Sequence, residues 1–341
     1  MANYMATILL SITVYATFIV LGQSKVDIGV CYGLIADNLP SPKEVVELYQ
    51  TYGIEKMRIF QPYPDVLEAL GGSGIRLTLG TLNQHIAVLA SSEEAADSWF
   101  MEHVQPYVND VDITYISVGN EVVPGESSEY ILPAMQNLQN VLKKNDLNIK
   151  TTTVVHGMVL GSSYPPSAGE FSQISKPFMS EIIKFLSFEK TPILVNIYPY
   201  FPYSLESATI QLEFALLSPD ARPLVDGDLS YSNLLDSMID AFYAAMEKEG
   251  VTDVDIVVSE SGWPNAGNGD ITTPELAEIY NNNFIKRVGN GVGTPRKPES
   301  KIEGYIFAMF DENLKDSGVE QHWGLFKPNM EPNYDIDFDY D

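Results

Sequence analysis

The chain has 341 residues, 45% of them hydrophobic, which suits one large α/β barrel or two smaller domains with a full core. Its net charge is −26, from 20 basic against 46 acidic residues, which excludes a nucleic-acid binder and makes an anionic membrane surface a repulsive partner. The single cysteine, Cys31, excludes an intrachain disulfide and a cysteine-based zinc site.

Near the start, Ile8 to Leu21 is almost wholly apolar and Gly22-Gln23-Ser24-Lys25 is polar. The pair reads as the apolar region of a secretory signal peptide and its cleavage zone, although no basic residue precedes it. The run is short for a membrane anchor. We expect residues 1–24 to be a signal peptide cleaved near 22–25, residues 25–341 to form one mature domain, and the product to be secreted as an extracellular monomer. No N-x-[ST] sequon occurs, so N-glycosylation is not expected.

Val26 to Tyr32 reads as the first strand. Ser41-Pro42-Lys43-Glu44 then predicts a capped helix ending at Gly53. Lys56 to Phe60 is a second strand, Pro64 to Leu70 a short helix, and Ile75 to Leu79 a third strand. Ser92 caps a helix running toward Val108. Ile113 to Val118 is the fourth strand, and Leu132, Met135, Leu138 and Leu142 recur at helical spacing within Tyr130 to Lys144. Lys150 to Val155 is the fifth strand, followed by a long loop with Tyr164-Pro165-Pro166 and a helix over about 177–188. Ile193 to Ile197 is the sixth strand, Ser232 to Lys248 an amphipathic helix, and Asp255 to Ser259 the seventh strand. Thr273 caps a helix to Val288, and Ile302 to Phe310 is the eighth strand. Asp335 to Asp341 reads as a frayed tail. Eight strands alternating with helices predict a single (β/α)8 TIM barrel. The first strand–helix turn, Cys31-Tyr32-Gly33-Leu34, lacks the glycine fingerprint of a dinucleotide-binding open sheet.

Two strands end alike. Ile113 to Gly119 leads to Asn120-Glu121, and Ile256 to Ser259 leads to Glu260-Ser261-Gly262-Trp263. Two carboxylates at the tips of two parallel strands suit glycoside cleavage, in which one gives a proton and the other attacks carbon. The 19 tyrosines and the aromatics beside strand ends, among them Tyr164, Tyr198, Tyr200, Phe201, Tyr203, Trp263 and Phe310, are candidates for stacking on sugars as well as for wall packing. The four histidines form no H-E-x-x-H pair, and no G-x-S-x-G elbow, P-loop or EF-hand occurs, so no metal and no cofactor are expected.

Several stretches carry a family resemblance: Ile28-Gly29-Val30-Cys31-Tyr32-Gly33, Met57-Arg58-Ile59, Val118-Gly119-Asn120-Glu121, Asn196-Ile197-Tyr198-Pro199-Tyr200-Phe201, Val257 to Pro264, and Phe307-Ala308-Met309-Phe310-Asp311-Glu312-Asn313. With them the chain resembles the plant β-1,3-glucanases of glycoside hydrolase family seventeen from Ile28 to about Tyr334. The resemblance implies a (β/α)8 barrel, β-glucan as substrate, Glu121 as general acid/base on the fourth strand and Glu260 as nucleophile on the seventh. It further implies that Asn120 bonds a sugar 2-hydroxyl, that Tyr198 orients Glu260, and that Glu312, Lys315 and Glu320 form a supporting polar cluster. Trp263 and Phe310 join the substrate-side candidates. Where this chain has Phe60 the family often has Tyr, which places subsite detail rather than activity in question. The mechanism implied is retaining, with carboxyl groups roughly 5–5.5 Å apart. Two alternatives remain open at this point: cleavage of mixed-linkage β-1,3;1,4-glucan, and a catalytically silent barrel that binds or stores glucan.

Overall fold

The computed structural model describes residues 28–338. The expected signal peptide and its cleavage zone lie outside the described residues.

Eight parallel strands close into a barrel: β1 (Ile28–Cys31), β2 (Lys56–Ile59), β3 (Arg76–Gly80), β4 (Asp112–Asn120), β5 (Lys150–His156), β6 (Ile193–Asn196), β7 (Ile256–Ser261) and β8 (Glu303–Ile306). Each pairs with its neighbour in sequence, and β8 returns to β1 with Ile28 opposite Gly304. The predicted single TIM barrel is therefore the observed fold. β-Branched and other apolar residues on the helix-facing side of the strands suit this burial, while β2 turns Lys56 and Arg58 to the other face. At the N-terminal mouth the barrel interior is polar. There Lys56 and Glu303 form a buried ion pair at 2.7 Å, and Thr78 and Tyr305 share a hydrogen bond at 2.9 Å.

Helix signals were legible where capping chemistry is local. Ser41 and Glu44 form the reciprocal capping box of α1 (Pro42–Thr51). Ser92 and Thr273 cap the helices that begin at Glu93 and Pro274. The helix from Ser92 is shorter than expected, stopping at His103. The excursions were less legible. Ile86–Ser91 is helical, and the long loop after β5 contains a small antiparallel pair, Leu160–Ser162 with Glu170–Phe171. Between β6 and the next long helix lie Tyr200–Glu206 and a hairpin, Leu224–Asp226 with Leu229–Tyr231.

The C-terminal segment corrects the expected frayed tail. Asp335 and Asp337 alternate with Ile336, which packs on the core, and Phe338, which is buried. Asn282 holds this segment from both sides, donating to the Asp335 carbonyl at 2.9 Å and accepting the Asp337 amide at 3.0 Å. The acidic residues masked an apolar alternation; residues 339–341 lie outside the description.

Asp240, fully buried on the helix Leu234–Lys248, accepts the Arg296 backbone N–H at 2.9 Å. Burial pushes its carboxyl from the ordinary 3.8 up to about 6. Between those values the folded state holds a proton that the unfolded state has lost, so this group's contribution to stability grows as pH falls from 7 toward 4. Relative to Asp240→Asn, the wild type should gain up to ~3 kcal/mol across that window. Urea unfolding of both proteins at pH 7 and pH 4.5 checks this; a constant difference would refute it.

Candidate active site

Both carboxylate-bearing strands are irregular just before the carboxylate. The β7 register slips between Val258 and Glu260 against β6, and the β4 register slips between Ser117 and Asn120 against β5. A bulge bends the strand and re-aims the side chain that follows. On β4 the turn is sharper still: Gly119 has φ +75° and Glu121 has φ +56°. A left-handed glutamate is uncommon and needs support. The Glu121 amide donates to the Val154 carbonyl at 2.9 Å. Asn83, on the turn after β3, clasps the backbone of Asn120, accepting its N–H at 2.8 Å and donating to its carbonyl at 3.0 Å.

Glu260 is 6% exposed and fully engaged. Its Oε1 accepts from Arg58 Nη1 at 2.6 Å, and its Oε2 accepts from the Tyr198 hydroxyl at 2.7 Å. Burial, and then the Glu260 charge, push the Tyr198 phenol well above its usual range, so it stays a donor. Burial works against the Arg58 charge, but Glu260 beside it helps take the net direction upward. Arg58 also donates to the Ser259 carbonyl at 2.9 Å and, through Nη2, to Asn120 Oδ1 at 2.7 Å. Asn196, at the tip of β6, accepts from Ser259 Oγ at 2.8 Å, which sets its amide so that Nδ2 donates to Glu121 Oε1 at 2.8 Å. Glu121, Asn120, Asn196, Arg58, Glu260 and Tyr198 thus form one connected network.

The network opens into a groove of about 550 Å³ at the C-terminal end of the barrel. Asn120, Glu121, Tyr198, Glu260, Glu312, Lys315 and Glu320 all line it, so seven of the nine sequence-predicted site residues share one cavity. Glu312 is buried, accepts the Ile35 N–H at 2.7 Å and pairs with Lys315 at 3.3 Å. Gly33 makes this possible: any Cβ there would collide with the Glu312 carboxylate.

The two others do not face the groove. Trp263 is 0% exposed, donates its indole N–H to the Ile271 carbonyl at 2.9 Å and packs among Tyr200, Tyr203 and Tyr280. Phe310 is buried edge-on to Tyr32. Both are wall residues, because the chain beyond each strand tip turns back against the barrel. Tyr200 and Tyr203 are likewise buried, and Tyr164 is exposed outside the groove, whereas Tyr198 and Phe201 line it.

Arg58, Asn196 and Asn83 received no role from the sequence. Arg58 did carry a signal: a permanent charge between Met57 and Ile59 in a buried strand requires a buried partner. Asn196 had only its place at a strand tip, and Asn83 had none. Arg58→Met leaves Glu260 as a buried, uncompensated charge. It should lower unfolding free energy by ~3–5 kcal/mol at neutral pH. Chemical denaturation is the check, and a loss below ~1 kcal/mol would mean the pair contributes no more than a surface bridge.

Comparison with known proteins places this geometry. The family model described as glycosyl hydrolases family 17 matches residues 28–338. A probable glucan endo-1,3-beta-glucosidase of Arabidopsis thaliana is 48% identical over 307 residues, covering 89% of this chain and 87% of the relative. Lichenase-2 of Hordeum vulgare is 44% identical over 312 residues, covering 91% and 98%. The solved structure of a beta-1,3-glucanase and allergen of Cryptomeria japonica pollen superposes with TM-score 0.88 at 44% identity, covering 91% of this chain and 98% of that one. The chain belongs to glycosyl hydrolase family 17.

Proposed function

We propose that this protein is a secreted, retaining endo-β-1,3-glucanase that acts as a monomer on β-glucan, with Glu260 as nucleophile and Glu121 as general acid/base. The observation that carries the assignment of roles is the unequal setting of the two carboxylates. Glu260 accepts from a permanent cation at 2.6 Å and from the Tyr198 hydroxyl at 2.7 Å, strong bonds that fix the orientation of its carboxylate. Glu121 has a neutral amide donating to Oε1, which leaves Oε2 to carry the proton it delivers. In the first step Glu121 protonates the glycosidic oxygen while Glu260 attacks the anomeric carbon; water then cleaves the glycosyl-enzyme with Glu121 as base. Asn120, which precedes Glu121 and accepts from the same Arg58 that holds Glu260, bonds the sugar 2-hydroxyl in this reading.

Internal cleavage is supported by the run of the groove. Leu34 and Tyr63, which line it, also line a neighbouring hollow of about 360 Å³ over the loops after β1 and β2, where further units of a longer chain would lie. Among the described residues no helix is long and apolar enough to cross a membrane. A second reading, mixed-linkage cleavage, is favoured by the similarity to the barley lichenase.

Reducing-sugar release from a linear β-1,3-glucan and a mixed-linkage β-glucan separates the two. Fast release from the first, with Glu260→Gln reducing it by at least ~10⁴-fold, is expected. Release from the mixed-linkage glucan alone would move the assignment there. Appreciable activity in the Glu260→Gln protein would refute the nucleophile.

A further inference from the structure

Arg58 holds Glu260, Asn120 and Asn196 together, yet its Nε–H is buried without a hydrogen-bond acceptor. The open face of the guanidinium is covered instead by the Phe60 ring, whose centroid lies 4.6 Å from the Arg58 Cζ. Phe60 is half-buried and lines the groove. On its other side it meets Phe307 edge-on at 6.2 Å, and Phe307 in turn carries Lys315 at 4.3 Å above its ring. Arg58, unlike Glu260, Asn120 and Tyr198, does not line the groove, and the Phe60 ring lies between its guanidinium and groove water.

We propose that Phe60 is a positioning residue: its ring seals the Arg58 guanidinium from groove water and keeps it in the geometry that clamps Glu260 and Asn120. This rests on Glu260 being the nucleophile. A guanidinium is attracted to an aromatic face, and more strongly where water is excluded. An ion pair so sealed is little screened by salt, whereas a solvated one is weakened by it. Without the ring, water reaches Nε and competes for the guanidinium, the clamp loosens, and Glu260 loses its orientation toward the anomeric carbon. Substrate binding along the rest of the groove is unaffected, so the defect falls on kcat.

Steady-state kinetics of wild type, Phe60→Ala, Phe60→Leu and Phe60→Tyr on linear β-1,3-glucan, at low and high sodium chloride, test this. Phe60→Ala should lose kcat by about tenfold with KM within about twofold of wild type. Its kcat should fall further as salt rises, while wild type stays nearly flat. Phe60→Tyr keeps the π face and should restore both the rate and the salt insensitivity. Phe60→Leu keeps apolar bulk without the π face. It should lose kcat in the same direction, and it carries the test if Phe60→Ala fails to fold. A raised KM with unchanged kcat would overturn the proposal and make Phe60 a sugar platform only. Equal salt response in all four proteins, or no rescue by tyrosine, would also overturn it. A folded wild type that cleaves neither glucan would instead refute the hydrolase reading on which the proposal rests.

Discussion

A carboxylate buried at the top of a protein barrel is unfavourable unless its charge is met at once, and the Arg58–Glu260 pair meets it at 2.6 Å. The partners are 202 residues apart in sequence, on β2 and β7. These strands are not neighbours in the sheet, so only closure of the barrel brings their tips across the same mouth. The pair in turn sets its surroundings. Arg58 has donors to spare and places them on Asn120 and Asn196, from β4 and β6. Four strands thus meet at one guanidinium, whose rigid fork serves several acceptors where an ammonium would present a point charge.

This explains why the site lies where the strands are least regular. A regular pleat sends alternate residues inward and outward. A slip before Glu260 and another before Asn120 break that alternation at the tips, and both carboxylates then enter the groove. The left-handed backbone of Glu121 costs energy of its own, which the Asn83 clasp and the Val154 carbonyl offset. The clasp is itself anchored: Trp99 donates its indole N–H to His85 at 3.2 Å, fixing the turn that bears Asn83. Rigidity around Glu121 is therefore supplied by a turn whose Asn83 also lines the groove.

The barrel and the two carboxylates that share its groove were legible in the sequence because their determinants are local. Apolar runs, capping residues and a carboxylate after a strand can each be read within a few positions. What was not legible depends on distance in the chain. Trp263 follows Glu260 by three residues and looked like a groove residue, yet it is entirely in the wall, because the chain turns at Gly262. Arg58 was visible as a charge in a buried strand, but nothing local names Glu260 as its partner. The tail misled for the opposite reason: counting its aspartates hid the alternation that seats Ile336 and Phe338.

The same network gives a physical reason for the direction of the proposed chemistry. Exchanging the two roles would make the proton donor a carboxyl whose two oxygens already accept from Arg58 and the Tyr198 hydroxyl. It would also leave the attacking carboxylate with one neutral amide. The observed arrangement puts the permanent charge beside the group that must attack and withholds it from the group that must protonate. Bond by bond, this asymmetry follows from which strand tip Arg58 reaches, and Arg58 reaches β7 because Ser259 and Glu260 both present acceptors there.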